Sequence, residues 1–261
     1  MPPFSLFCTL AFLLSVLPFA SAQCIQMGVM VWPDFQTKTI QPRQLFLVYG
    51  ATQEQPLLQL SHGKTLYLWS PEDSVSLRLL DCQRMPSGAT QLLLQPTQPL
   101  QPGCAYELRT EFDANSIYRY YQNRDLHTKK PATRYKWQVA DTPDLQAPLW
   151  LSTPAVVRKE YSENSEGINN YVLFSCPLRE SSPFLVKVAV HRAVDKVSTT
   201  SYLLPWQNCL PIGWLTCGGD VEFQPDEEYA VTFEALDAAG NRAQANSSPV
   251  LFKSPTRKSV K

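Results

Sequence analysis

Short apolar runs recur along the chain, each broken by turn residues after a handful of positions. They fall at 44–49, 65–69, 75–80, 90–95, 106–112 and 134–139, and after a gap at 155–160, 170–176, 184–191, 197–204, 221–223, 229–236 and 249–252. Several alternate. In AYELRTEF, Tyr106, Leu108, Thr110 and Phe112 share one face; in YAVTFEALD, Tyr229, Val231, Phe233 and Ala235 do, until Leu236 breaks the pattern. A period of two in short runs with frequent turns predicts strands of an antiparallel sandwich. No segment sustains a helical period.

One phrase occurs twice. QPGCAYEL (101–108) and QPDEEYAV (224–231) share the frame Gln-Pro-x-x-x-Tyr, each preceded by an apolar residue, Leu100 or Phe223. In Greek-key sandwiches a tyrosine near the start of the penultimate strand returns its hydroxyl to the backbone of the preceding corner. Its ring is then buried and its polar tip satisfied. Tyr106 and Tyr229 suit that role, with Pro102 and Pro225 stiffening the two corners. The competing reading is chance, since Gln and Pro are abundant around 91–102.

The fold expectation is therefore all-β: two tandem antiparallel Greek-key β-sandwiches behind an N-terminal signal peptide. The expected boundaries are signal 1–22, first sandwich 23–141, linker 142–147, second sandwich 148–253 and a flexible basic tail 254–261.

The second half resembles a fibronectin type III or bacterial immunoglobulin-like domain. FQPDEEYAVTFEALDAAGN, 223–241, carries the resemblance: a proline corner, a tyrosine-led strand and a turn of the form Asp-x-x-Gly-Asn, where Gly240 takes positive φ cheaply. The first half is similar more loosely, through IQPRQLFLVYG and LQPGCAYELR, to Ig-like modules of secreted bacterial proteins. The resemblance implies binding and spacing roles and fixes no activity.

Composition narrows the setting. Lys plus Arg and Asp plus Glu number 23 each, so no net charge draws the chain to nucleic acid or an anionic membrane. Leu6 to Phe19 is a mostly apolar run ending in Ala20-Ser21-Ala22, the small-x-small pattern of a cleavable export signal. Its start lacks Lys and Arg, and the rival reading, an N-terminal anchor, meets a run short for a span. The expected location is secreted, periplasmic or at the cell surface, without stable membrane insertion after cleavage. Cys24, Cys82, Cys104, Cys176, Cys209 and Cys217 remain after cleavage, an even count that favours disulfides in an oxidising compartment. With three in each half, full pairing within one molecule demands a bridge between the halves; Cys209 with Cys217 is the easiest local pair.

Catalytic motifs are missing: no Gly-x-Ser-x-Gly elbow, no His-Glu-x-x-His, no phosphate-binding glycine loop. No cofactor and no metal are expected; Asp141 and Asp144 are too few carboxylates for calcium. Two stretches suit binding. DANSIYRYYQNRDLHTKKPAT, 113–133, interleaves Tyr118, Tyr120 and Tyr121 with Arg119, Arg124, Lys129 and Lys130, or else continues a strand with its tyrosines packed. PWQNCLPIGWLTCGGD, 205–220, places Trp206 and Trp214 near the candidate disulfide, either presented to a ligand or folded inward as a cap. The expected function is a non-catalytic binding or adhesion protein for a protein or glycan partner. The alternatives are a secreted hydrolase or carbohydrate-active accessory protein, and a ligand-free spacer.

Overall fold

The alternating runs form eighteen strands and, among the described residues, no helix. The computed structural model describes residues 29–34, 36–50, 66–110, 135–164, 167–194, 197–216, 218–244 and 248–256. The expected signal segment, Cys24, Cys217 and most of the basic tail lie outside them.

The first sandwich comprises β1 (Val29–Trp32), β2 (Thr39–Ile40), β3 (Phe46–Gly50), β4 (Leu66–Trp69), β5 (Ser74–Arg84), β6 (Thr90–Pro96), β7 (Ala105–Thr110) and β8 (Lys136–Val139). One layer runs β1-β3-β6-β5 and the other β5-β4-β7-β8-β2. β5 serves both. Its first residues pair with β4, the rest pair with β6, and the register shifts between Leu79 and Asp81. A bulge of this kind bends a strand so that it can cross between layers. The N-terminal strand also divides: β1 lies antiparallel on β3, while β2 lies parallel on β8. That parallel pair departs from the purely antiparallel expectation. Alternation places Phe46, Val48, Leu66, Leu68, Leu92, Tyr106, Leu108 and Trp137 between the layers.

The second sandwich follows a short ribbon strand, β9 (Leu149–Trp150). It comprises β10 (Val156–Asn164), β11 (Gly167–Ser175), β12 (Leu178–Arg179, paired with β9), β13 (Phe184–Arg192), β14 (Ser198–Leu203), β15 (Cys209–Leu215), β16 (Gly218–Gly219), β17 (Glu228–Asp237) and β18 (Val250–Lys253). Its layers are β10-β11-β15-β16 and β14-β13-β17-β18. Phe174, Phe223, Phe233 and Phe252 fill the core with edge-to-face contacts.

The two sandwiches lie side by side, sheet against sheet. The outward residues of β3 and β6 meet the outward residues of β13, β14 and β17. Leu45, Leu47 and Leu93 bury themselves against Leu185, Tyr202 and Leu236, with Trp32 at the rim. Each leucine removed from water there stabilises by about 2 kcal/mol. Polar bonds fix the register. The Gln91 side-chain amide donates to the Tyr202 carbonyl (2.9 Å) and accepts from the Tyr202 N–H (2.7 Å). Asp81 accepts from the Tyr202 hydroxyl (2.6 Å), Lys187 Nζ (2.8 Å) and Gln83 Nε2 (2.8 Å).

The turn after β17 locks one end of the seam. Leu45 N–H donates to the Ala238 carbonyl (2.8 Å), and Asn241 Nδ2 donates to the Asp144 carbonyl (3.1 Å). Asp144 N–H donates in turn to Gln41 Oε1 of the first sandwich (2.9 Å). Gly240 sits at φ +88°, and a Cβ there would come within 3.2 Å of Gln95 Nε2 and close on Leu45. The position needs glycine for its backbone angle and for this approach. At the other end of the seam, Pro86 helps Val190, Arg192 and Tyr229 line a cavity of about 190 Å³.

Gln91→Ala strands two buried backbone groups of Tyr202. It is expected to lower stability by about 1–3 kcal/mol in urea unfolding. The halves should still unfold in one transition in the wild type; two separated transitions would contradict a shared seam.

Candidate functional site

The repeated tyrosines occupy equivalent places. Tyr106 is fully buried; its hydroxyl accepts from Gln101 N–H (3.3 Å) and donates to Asp73 Oδ2 (3.1 Å). Tyr229 is buried on β17 and its hydroxyl accepts from Gln224 N–H (3.0 Å). Pro102 and Pro225 stand in the turns between, both exposed. These corners set where each sandwich's penultimate strand begins, and so which loops share an end.

Much of the segment 205–220 is strand rather than the loop expected from its sequence. Residues 209–215 form β15, paired along its length with β11. At about 3.3 Å per residue, Leu215 lies about 20 Å from Cys209. Gly218 pairs with Leu215 at that far end. Cys217 lies outside the described residues, and with it the expected Cys209–Cys217 pair. The length of β15 also parts the two indoles. Trp214 is half-buried near the far end of β15, in register with Asn170 and Gly219. Trp206 stands at the near end and is 62% exposed. It belongs to a two-residue hairpin turn in which Gln207 (φ 49°) and Asn208 (φ 58°) are both left-handed. Reciprocal backbone bonds of 2.9 Å between Trp206 and Cys209 close the turn. This is the tight turn whose twist matches the flanking strands, so it holds the indole on a stiff support.

Cys82, Cys104, Cys176 and Cys209 are not in disulfides, which corrects the expectation of bridges among these four. Cys176 and Cys209 share one end of the second sandwich, and Cys176 N–H donates to the Asn208 carbonyl (2.8 Å). But Cys209 is opposite Ser175, so alternation sends its side chain to the outer face while Cys176 faces the core. Burial, with the neighbouring Cys209 adding to it, pushes the Cys176 thiol up to about 11. It is a protonated, unreactive thiol at neutral pH. Cys82 lies toward the end of β5 and Cys104 just before β7. These strands run in the same direction, which puts the two at opposite ends of the first sandwich.

The first sandwich keeps one sheet face free of the seam. Tyr67 and Trp69 on β4 are half-buried there, beside Glu107 and Arg109 on β7. The Arg109 guanidinium stacks 3.6 Å from the Trp69 ring centre, and Glu107 lies 3.6 Å from Arg109. The candidates Tyr118, Arg119, Tyr120, Tyr121, Arg124, Lys129 and Lys130 lie outside the described residues. Their segment leaves β7 at Thr110, which pairs with Leu66 at the start of β4.

Sequence reasoning missed the seam residues Asp81, Gln91, Lys187 and Tyr202, and also Asp220. The Asp220 carboxyl is buried beside Ser201, and its charge is felt by the first sandwich's Tyr49. Burial pushes it up to about 6, and the Ser201 hydroxyl offsets only part of this. Burial also raises Asp237. Asp81 goes the other way: burial would raise it, but bonds from Lys187, Tyr202 and Gln83 hold it below its ordinary value.

Among the described residues, no group of three or more His, Cys, Asp or Glu is placed to hold a metal ion, and no helix is long and apolar enough to cross a membrane.

No family model and no curated protein matches the chain. Solved structures give distant likenesses. The FN1–FN3 domains of chicken CNTN1 are 11% identical at a TM-score of 0.26, covering 88% of this chain and 65% of that one. The Ig1-2 module of the Drosophila receptor protein tyrosine phosphatase DLAR is 13% identical at 0.25, covering 84% and 96%. A pullulanase from Anoxybacillus sp. LM18-11, complexed with maltotriose, is 9% identical at 0.23, covering 77% of this chain and 24% of its own. At these scores they carry no inference about the site.

Asp220 makes stability depend on pH. The folded state holds this proton more tightly than the unfolded chain, so its contribution is complete below about pH 4 and is lost as pH rises through about 6. Asp220→Asn should remove a difference of about 1.4 kcal/mol between pH 5 and pH 7.5 in urea unfolding. An equal pH dependence in the variant would refute the assignment. Asp81 does not confound the comparison, since its stabilisation is lost only at lower pH.

Proposed function

We propose that this protein is an exported, non-catalytic binding or adhesion protein, acting at the cell surface or in the periplasm on a protein or glycan partner. The observation that carries this reading is Trp206. A tryptophan gains more than most residues by burial, yet this one is 62% exposed on a hairpin closed by two backbone bonds. Leu204, at 42%, extends the apolar surface beside it. Rigid, exposed aromatics supply contact area at low entropy cost and dominate interface energetics. The side-by-side packing supports the same reading, because it fixes the hairpin relative to the first sandwich. The loop residues Tyr118, Arg119, Tyr120, Tyr121, Arg124, Lys129 and Lys130 belong to this proposal as a second contact region, and half-buried Trp214 as a support of the sheet behind.

The test is an array of proteins and glycans probed with the mature chain. Trp206→Ala should weaken a hit by about 30-fold or more, the scale of an interface hot spot. Tyr118→Ala with Tyr121→Ala, made together, reports on the loop in the same assay. Turnover in a broad substrate panel, abolished by one carboxylate or histidine change, would replace the binding reading with an enzymatic one.

A further inference from the structure

The two sandwiches share a topology but finish it differently. In the first, the last strand β8 is covered on its outer edge by β2. Gln138 N–H donates to the Lys38 carbonyl (2.9 Å) and Ala140 N–H to the Ile40 carbonyl (2.8 Å), and Ile40 is 1% exposed between the layers. In the second, β10 stays on β11 throughout, and no strand among the described residues covers β18, the equivalent of β8.

The phase of the β18 ladder shows what this leaves open. Ser254 N–H donates inward to the Glu227 carbonyl (2.8 Å). Antiparallel bonding alternates, so the backbone groups of Leu251 and Lys253 point outward. The Leu251 side chain is 79% exposed. Beside this edge a cleft of about 300 Å³ opens between the layers, its lining including Lys159, Glu160, Tyr161, Lys253, Ser254 and Thr256. Lys159 and Tyr161 are the β10 residues in register with Val172 and Asn170, both buried, so they point inward. Glu160 is engaged with Arg158 (3.9 Å) and Asp226 with Lys253 (2.9 Å). The Lys159 ammonium faces the cleft and is close enough to Asp226 for its charge to be felt there. The neighbouring edge is guarded differently: β10 carries a register shift between Val156 and Arg158 and this inward lysine, both devices against strand addition.

We infer that the bare edge of β18 receives an extended strand of a partner protein, laid parallel to it as β2 lies on β8. A branched apolar side chain of that strand enters the cleft in the manner of Ile40, and a carboxylate meets Lys159. The chain's own tail is a poor occupant, because Arg257, Lys258 and Lys261 would confront Lys159. Strand addition draws affinity from main-chain bonds and specificity from alternate side chains. This site is separate from Trp206, and either can fail without the other.

The probe is a blocked hexapeptide carrying the Thr-Ile of β2 and the following Gln41 between glutamates, titrated into the mature chain by NMR. The expected result is saturable binding at submillimolar peptide, with the Leu251 and Lys253 amides protected from exchange. Leu251→Pro removes an outward donor without breaking a bond to β17, and should weaken binding at least tenfold. Lys159→Glu should weaken it while leaving unfolding unchanged, and Trp206→Ala should leave it unaltered. No saturable shift at these amides would overturn the proposal, as would equal binding by a peptide with lysines for glutamates. Concentration-dependent dimerisation that protects the same amides would assign the edge to a second copy and overturn it too.

Discussion

The rest of the structure depends on one side-chain amide. β14 ends its sheet, so its outer edge would expose backbone donors and acceptors to any passing strand. At Tyr202 that edge is closed by Gln91, which supplies both an acceptor and a donor, as a neighbouring strand would. The same residue's hydroxyl reaches Asp81, whose carboxylate also holds Lys187. A leucine-lined seam surrounds these bonds and keeps water from competing with them. Hydrophobic burial supplies most of the attraction, but it is not directional. The polar bonds decide which register the two sheets adopt.

This constraint allocates the molecule's surfaces. The outer face of the β14-β13-β17-β18 layer, open in an isolated sandwich, is spent on internal packing. Among the surfaces that remain are the outer faces of β4-β7-β8 and of β10-β11-β15-β16, the Trp206 hairpin, and the edge of β18. The Trp69–Arg109 stack shows that one aromatic on the free face already has a partner within the chain. Trp206 has none of comparable extent and is the more exposed. The hairpin thus bears the binding proposal.

Period-two alternation made the strands legible, and the tyrosine frame made the two sandwiches legible. Both signals arise from residues that solve their physical problem locally: Tyr229 meets Gln224 only five positions away. The seam was not legible, because Leu47, Leu93 and Leu185 alternate like residues facing solvent or core, and nothing local says they meet across more than 90 positions. Gln91 and Tyr202 are likewise ordinary strand residues until the sheets are docked. CLPIGWLTC misled for another reason. Its glycine and proline suggested a loop, yet Gly213 is in the ladder at φ +129°, where a Cβ would strike the Asn170 carbonyl at 2.4 Å. Glycine there marks close strand approach rather than a turn.

The central claim is that two sandwiches fold back on one another as a single body. Small-angle X-ray scattering of the chain tests it most directly. A compact particle of this length has a radius of gyration of about 18 Å and one maximum in its distance distribution. A value several ångströms larger, with two resolved maxima, would show sandwiches strung end to end and contradict the seam.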